Sequence, residues 1–215
     1  MIRNFFLVDH KLFYLILVSL FVHLITAYFS VGFYEQDEHF SILEPIISKL
    51  GENATMGWDF SINQIKQWFL SFIFVYFIKF LVILDINSPF QWIFFIRILT
   101  SILGWISIIS LIHLAKKQLN DEKNLNVFIY ISTLFWFYPY FHARPSSENI
   151  SISLLIIAIT MFTYFRAYKR ILLLCGVIFG LSVAIRYTNI LIVGFFGIWA
   201  ILFSKLNLKD CIILA

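Results

Sequence analysis

The run from Leu12 to Val31 holds twenty residues without an acid, a lysine or an arginine. As a helix, twenty residues rise about 30 Å, the thickness of a bilayer's hydrocarbon core. Further apolar runs follow at 65–84, 91–115, 125–141, 149–165, 171–186 and 188–204, and charged loops separate most of them. With 61% hydrophobic, 20% aromatic and only 13% charged residues, the chain reads as a polytopic membrane protein rather than a soluble domain. The expected architecture is all-α: one integral-membrane helix bundle over 1–215, with amphipathic helices lying in the interface of its first outer loop. The chain stops at the start of another apolar run, 210–215, which predicts a further C-terminal half.

The net charge of +4 does not point to nucleic acid, because the basic residues lie between apolar runs and form no patch with interleaved aromatics. That pattern is the orientation signal of membrane proteins. Arg3 and Lys11 precede the first run and predict a cytoplasmic N-terminus. The run 65–84, which carries Lys66 and Lys79, decides the rest. If it crosses, the loops with Lys116, Lys117 and Lys123 and with Arg166, Lys169 and Arg170 face outward, against the charge rule. If it lies in the interface or re-enters, the N-terminal tail, 116–123, 166–170 and 205–209 face the cytoplasm with ten of the sixteen basic residues. The second threading is the expected one. Cys175 and Cys211 sit among apolar residues and read as packing. No cleavable signal is evident, since the first run is too long for one.

The first outer loop, 32–64, is where chemistry is expected. It opens on Tyr34-Glu35-Gln36-Asp37-Glu38-His39-Phe40, the densest acidic stretch in the chain. Carrying a carboxylate to the bilayer centre costs roughly 2.5–3.5 kcal/mol, so these acids belong at the membrane edge. From Asp37 to Leu50 the spacing predicts an interfacial helix with Phe40, Leu43, Ile47 and Leu50 on its apolar face and Gly51 as its stop. In the threading chosen, this stretch shares the outer face with His142-Ala-Arg144-Pro-Ser-Ser-Glu148-Asn149 and with Arg186-Tyr187-Thr188-Asn189.

Asp37 can be a general base: partial burial at a water–lipid boundary raises a carboxylate's proton affinity. It can equally be a helix N-cap, with Glu38 favouring the helix N-terminus. Arg144 and Arg186 suit a phosphate leaving group, which guanidinium binds as a fork, or can be arginines reaching to the interface from helix ends. His39 and His142 can hold acceptor hydroxyls, and Lys66 can meet a phosphate or lipid headgroups. Asp37, Glu38 and His39 have no metal-ligand spacing, so no metal or cofactor is expected. Asn53-Ala-Thr55 fits a short glycosylation pattern. A transporter or flippase for an anionic lipid or solute is the rival reading; no internal repeat or deeply placed acid supports it.

Together these motifs resemble a known family. Asp37-Glu38-His39-Phe40, Leu43-Glu44, Leu50-Gly51 and Trp58-Asp59-Phe60 follow the first helix in an order similar to that of GT-C glycosyltransferases, and in particular the Alg9-like mannosyltransferases of family 22. Arg144-Pro-Ser-Ser-Glu-Asn149 resembles that family's arginine and Ser/Asn motif, and Gly180 through Arg186-Tyr187 its later Gly-to-Arg-aromatic motif. The chain has Glu35-Gln36 where the family usually has His-Pro. The resemblance implies a polyprenyl-phosphate sugar donor, most simply of mannose, and a lipid-linked or glycan acceptor. It implies transfer with inversion and Asp37 as base; the reading of the residues adds Glu38 and His39 at the acceptor. Arg144 and Arg186 would hold the donor phosphate, with Glu44, Lys66, His142, Asn149 and Tyr187 lining the substrate site. The compartment would be the endoplasmic reticulum membrane or a bacterial cytoplasmic membrane, with the site on the outer or lumenal face.

Overall fold

The structure is a computed structural model that describes residues 10–32, 39–51, 53–55 and 68–203. Among the described residues every regular element is helical. In chain order they are α1 (His10–Phe29), a π-helical turn (His39–Leu43), α2 (Glu44–Lys49), α3 (Phe69–Ile83), α4 (Pro89–Gln118), α5 (Glu122–Leu134), α6 (Phe137–His142), α7 (Ser147–Phe165), α8 (Lys169–Ile185) and α9 (Asn189–Phe203). Helices α1, α4 and α7 are long and apolar enough to cross a membrane. The protein is an all-α polytopic membrane protein.

Buried residues recur every three or four positions along α1 (Leu12, Ile16, Ser19, His23 and Ala27) and form the stripe that meets α4. Two of the five are polar, as suits a membrane helix interface, where small and hydrogen-bonding side chains let helices approach closely. Trp105 Nε1 donates to the Ile16 carbonyl at 3.1 Å, and Leu12 and Ile16 pack with Ile108, Ile112 and Ile129. Helix α1 is antiparallel to α4, whereas α7 runs parallel to α4. The latter pair is tied by Thr160 Oγ1 donating to the Ser110 carbonyl (3.1 Å) and by Tyr164 Oη donating to the His113 carbonyl (2.7 Å). Leu155, Ala158 and Phe162 of α7 pack with Leu172, Cys175 and Phe179 of α8 and with Ala200 of α9.

The bundle therefore has two distinct ends. At one, Lys11 lies over the Tyr130 ring (5.3 Å) and Lys117 Nζ donates to the Thr163 carbonyl (2.6 Å). The α7–α8 connection, with Arg166, Lys169 and Arg170, follows directly from there. At the other end the last residues of α1, the first turns of α4 and α7 and the end of α8 come together. Helix α3 packs against this second end. Its Leu70, Phe74, Val75 and Ile78 pack with Ile42 and Ile46 from the loop and with Ile96, Ile150 and Ile185 from α4, α7 and α8. Lys49 sits over the Trp68 ring (4.6 Å) before α3, and Trp92 Nε1 donates to the Ile86 carbonyl (2.7 Å) after it. Its 15 residues rise only about 22 Å, less than the ~30 Å of hydrocarbon.

Two sequence expectations change. The run 125–141 is not one helix: Phe135 is extended and the chain restarts as α6. Pro139 is the cause, since its ring would collide with the Phe135 carbonyl of a continuous helix. In α6 it occupies the first turn, where no backbone donor is needed. Likewise, the described part of the expected loop helix, 39–50, is not one uniform amphipathic helix. Pro45 has no N–H to give the Ser41 carbonyl, and the chain enters α2 through the wider π turn. That shifts the buried face to Ile42 and Ile46, against which the expected Leu50 also packs, while Phe40, Leu43 and Ile47 are only partly buried. Gly51 does end α2, with φ of 91°.

Helix α6 fits between α1 and α4 because residue 104 is glycine. A Cβ there would lie 2.1 Å from His142 Cγ and 2.5 Å from its Cβ. Gly104→Ala should therefore destabilise the protein by about 1–3 kcal/mol through overpacking, read as a lower Tm in detergent. Adding His142→Ala to that variant should restore part of the loss. A neutral Gly104→Ala would show that the two helices are not in contact.

Candidate active site at the loop-bearing end

Helix α1 ends with the usual surplus of carbonyls that have no helical donor. Its chain leaves through Gly32, whose φ of 69° is left-handed and natural only to glycine. Two arginines from distant parts of the sequence take up these carbonyls. Arg97, two turns into α4, donates Nη1 to Ser30 and Nη2 to Gly32. Arg144, in the α6–α7 connection, donates Nη1 to the same Gly32 carbonyl at 3.0 Å and places its guanidinium over the Tyr140 ring at 5.2 Å. Both arginines are buried. The acidic stretch, Glu35 to Glu38, begins three residues after Gly32.

The segment after Arg144 is built as a helix start. Ser146 accepts from the Asn149 backbone N–H at 3.1 Å and caps α7. Buried Asn149 turns its amide back to the chain before it, donating to the Arg144 carbonyl at 2.8 Å and the His142 carbonyl at 3.2 Å. So Asn149 fixes the connection that carries Arg144. Glu148 points the other way and pairs with Arg186 Nη1. Arg186 Nε also donates to Thr188 Oγ1 at 3.1 Å, and Asn189 Nδ2 donates to Ser182 Oγ at 3.0 Å across the α8–α9 break. Arg186 and Glu148 are each about one-third exposed, and Tyr187 beside them is exposed. An ion pair in that setting contributes about 0–1 kcal/mol, so a competing anion can displace Glu148 at little cost.

Within the first loop, His39 Nε2 meets Glu44 Oε1 at 2.9 Å, and Glu44 Oε2 accepts from the Thr55 backbone N–H at 2.6 Å. Buried Glu44 thus ties the two sides of the loop together. His142 is buried deeper in the bundle. Its Nδ1 lies 3.1 Å from His23 Nε2, with the rings stacked at 5.3 Å, and His23 Nδ1 lies 2.7 Å from the Ser19 carbonyl. With His23 Nδ1 as the donor to Ser19, His23 Nε2 accepts from His142 Nδ1–H.

Asp37, Glu38 and Lys66 lie outside the described residues, as do Trp58, Asp59 and Phe60. His39, Glu44, Arg144, Asn149, Arg186 and Tyr187 all lie at the end of the bundle where the first loop begins. His142 faces inward, against α1 and α4. Arg97 and His23 are the residues that sequence reasoning passed over. An arginine inside the apolar run 91–115 is expensive in a membrane and was the available signal. Among the described residues no group of three or more His, Cys, Asp or Glu side chains could hold a metal ion. The arrangement offers hydrogen-bonding cations that could hold an anion, at the end of the bundle where the first loop starts.

Against known families, residues 14–214 match the Alg9-like mannosyltransferase family. No curated protein and no solved structure matches the chain.

Proposed function

The chain belongs to the Alg9-like mannosyltransferase family, and from that membership we propose that it moves a mannosyl unit from a polyprenyl-phosphate donor to a hydroxyl of a lipid-linked or glycan acceptor, with inversion. Asp37 takes the proton of the acceptor hydroxyl as its oxygen attacks the anomeric carbon. The bond from that carbon to the donor phosphate breaks in the same displacement, so configuration inverts once. The departing polyprenyl phosphate gains negative charge, and a guanidinium aimed at it stabilises that change. Arg186 suits this role because it is about one-third exposed and its present partner, Glu148, is readily exchanged. Arg144 acts at closer quarters on the protein, through its bond to Gly32. Glu38 and His39 position the acceptor, with Tyr187 and Lys66 at the margin of the site.

The single observation that carries this reading is convergence. The two described flanks of the acidic stretch, Gly32 and His39, share one end of the bundle with Arg144 and Arg186. The charge pattern supports an orientation as well. Lys11, Lys116, Lys117, Lys123, Arg166, Lys169 and Arg170 lie toward the opposite end, which supports a cytoplasmic placement of that end and an outer or lumenal one for the loop-bearing end. An endoplasmic reticulum membrane or a bacterial cytoplasmic membrane fits this orientation.

Asp37→Asn should lower mannosyl transfer by roughly 10²- to 10⁴-fold, the contribution typical of a general base, in membranes holding the full-length protein and a polyprenyl-phosphate mannose. Near-parental turnover would remove Asp37 from the mechanism. In the same assay Arg186→Gln should raise KM for the donor at least tenfold, whereas an unchanged donor KM would take Arg186 out of the phosphate site.

A further inference from the structure

The residue left without a part in this scheme is Arg97. It is buried in α4, and its two terminal nitrogens donate to the carbonyls of Ser30 and Gly32. We propose that Arg97 is a positioning residue for the transfer reaction: its fork on Ser30 and Gly32 fixes the direction in which the acid-bearing loop leaves the bundle. The inference rests on the transferase reading and adds a residue that neither the sequence motifs nor the family resemblance singled out.

Three features of the molecule carry it. First, a guanidinium is always charged, and burying one costs several kcal/mol before its hydrogen bonds offset the cost. A helix end needs no such group, since glycine, water or a neutral side chain can satisfy its last carbonyls. Second, Arg97 and Arg144 arrive from different elements, α4 and the α6–α7 connection, and share the Gly32 carbonyl. The exit of the loop is thereby referenced to two helices that themselves pack on each other through Gly104 and His142. Third, the clamped residue is the one with left-handed φ. Gly32 is the most pliable point between α1 and the loop, since glycine alone moves easily between backbone regions. Holding its carbonyl from two sides removes that freedom where a change of angle would be amplified along the loop. Arg97 supplies two of these three bonds, and its planar fork spans two carbonyls that a lysine, with its compact ammonium, would not engage in the same geometry.

The test uses the full-length protein in native membranes and in detergent, with Asp37→Asn alongside. Arg97→Met is the informative variant, because it keeps much of the side chain's volume while leaving the Ser30 and Gly32 carbonyls without their donor, a loss that lowers stability. The expected result is protein that folds with a lowered Tm and, assayed below that Tm, a kcat about 100-fold lower, as for a small misplacement of a reacting group, with a donor KM within threefold of the parental value. Arg97→Lys, which keeps the charge and loses the fork, should remain at least tenfold below the parent in kcat. Parental kcat in folded Arg97→Met would overturn the proposal. So would full recovery in Arg97→Lys, which would make charge rather than geometry the cause, or the failure of both variants to accumulate folded protein, which would make Arg97 structural. An inactive parent, or an active Asp37→Asn, would instead overturn the transferase mechanism on which the inference rests.

Discussion

The loop-bearing end of this protein depends on one close approach, that of α4 to α6 at Gly104. With only a hydrogen where a Cβ would meet the His142 ring, α6 settles between α1 and α4, and His142 stacks on His23. The connection that follows α6 then runs past the end of α1. Only from there can Arg144 reach the Gly32 carbonyl, which Arg97 already holds from α4. Membrane helices lack a hydrophobic drive toward each other and associate through such close packing and hydrogen bonds. A contact without side-chain bulk can therefore govern the placement of charged groups several turns away.

The polar residues at this end divide into two kinds. Asn149, Ser146, Glu44 and Arg144 are bound to backbone groups, and their work is to fix the shape of the connections that carry them. Arg186 and Tyr187 are more exposed and stand where a substrate could meet them. A sequence motif merges these two kinds, because supporting and contacting residues lie next to each other in the chain. Arg144-Pro-Ser-Ser-Glu-Asn149 shows this well: its arginine and asparagine turn inward, and Glu148 between them turns out to Arg186.

Much of the fold was legible in the sequence for a plain reason. A bilayer demands long apolar segments whose backbone polar groups are satisfied internally, so the helices at 10–29, 89–118 and 147–165 could be read from length and composition. The turn chemistry was less legible. Pro139 lies inside an apolar run and still breaks it, and Pro45 moves the buried face of the loop helix by a fraction of a turn. Both effects depend on which carbonyl lies four residues back, a local steric fact that hydrophobic spacing does not register. For the candidate site, the motif residues were legible as polar groups next to apolar runs. Asp37, Glu38 and Lys66 lie outside the described residues, so for them the sequence remains the source.

By itself the sequence determined the class of protein, the alternation of charged and apolar segments and the family it resembles. These follow from composition and order along the chain, which no packing can alter. Only the tertiary structure decided which arginines stand together. Residues 30, 32, 97 and 144 meet because an antiparallel pair of helices, a proline-broken segment and a glycine contact bring them to one point. Partnerships of that kind depend on three-dimensional distance, and spacing along a chain does not encode it.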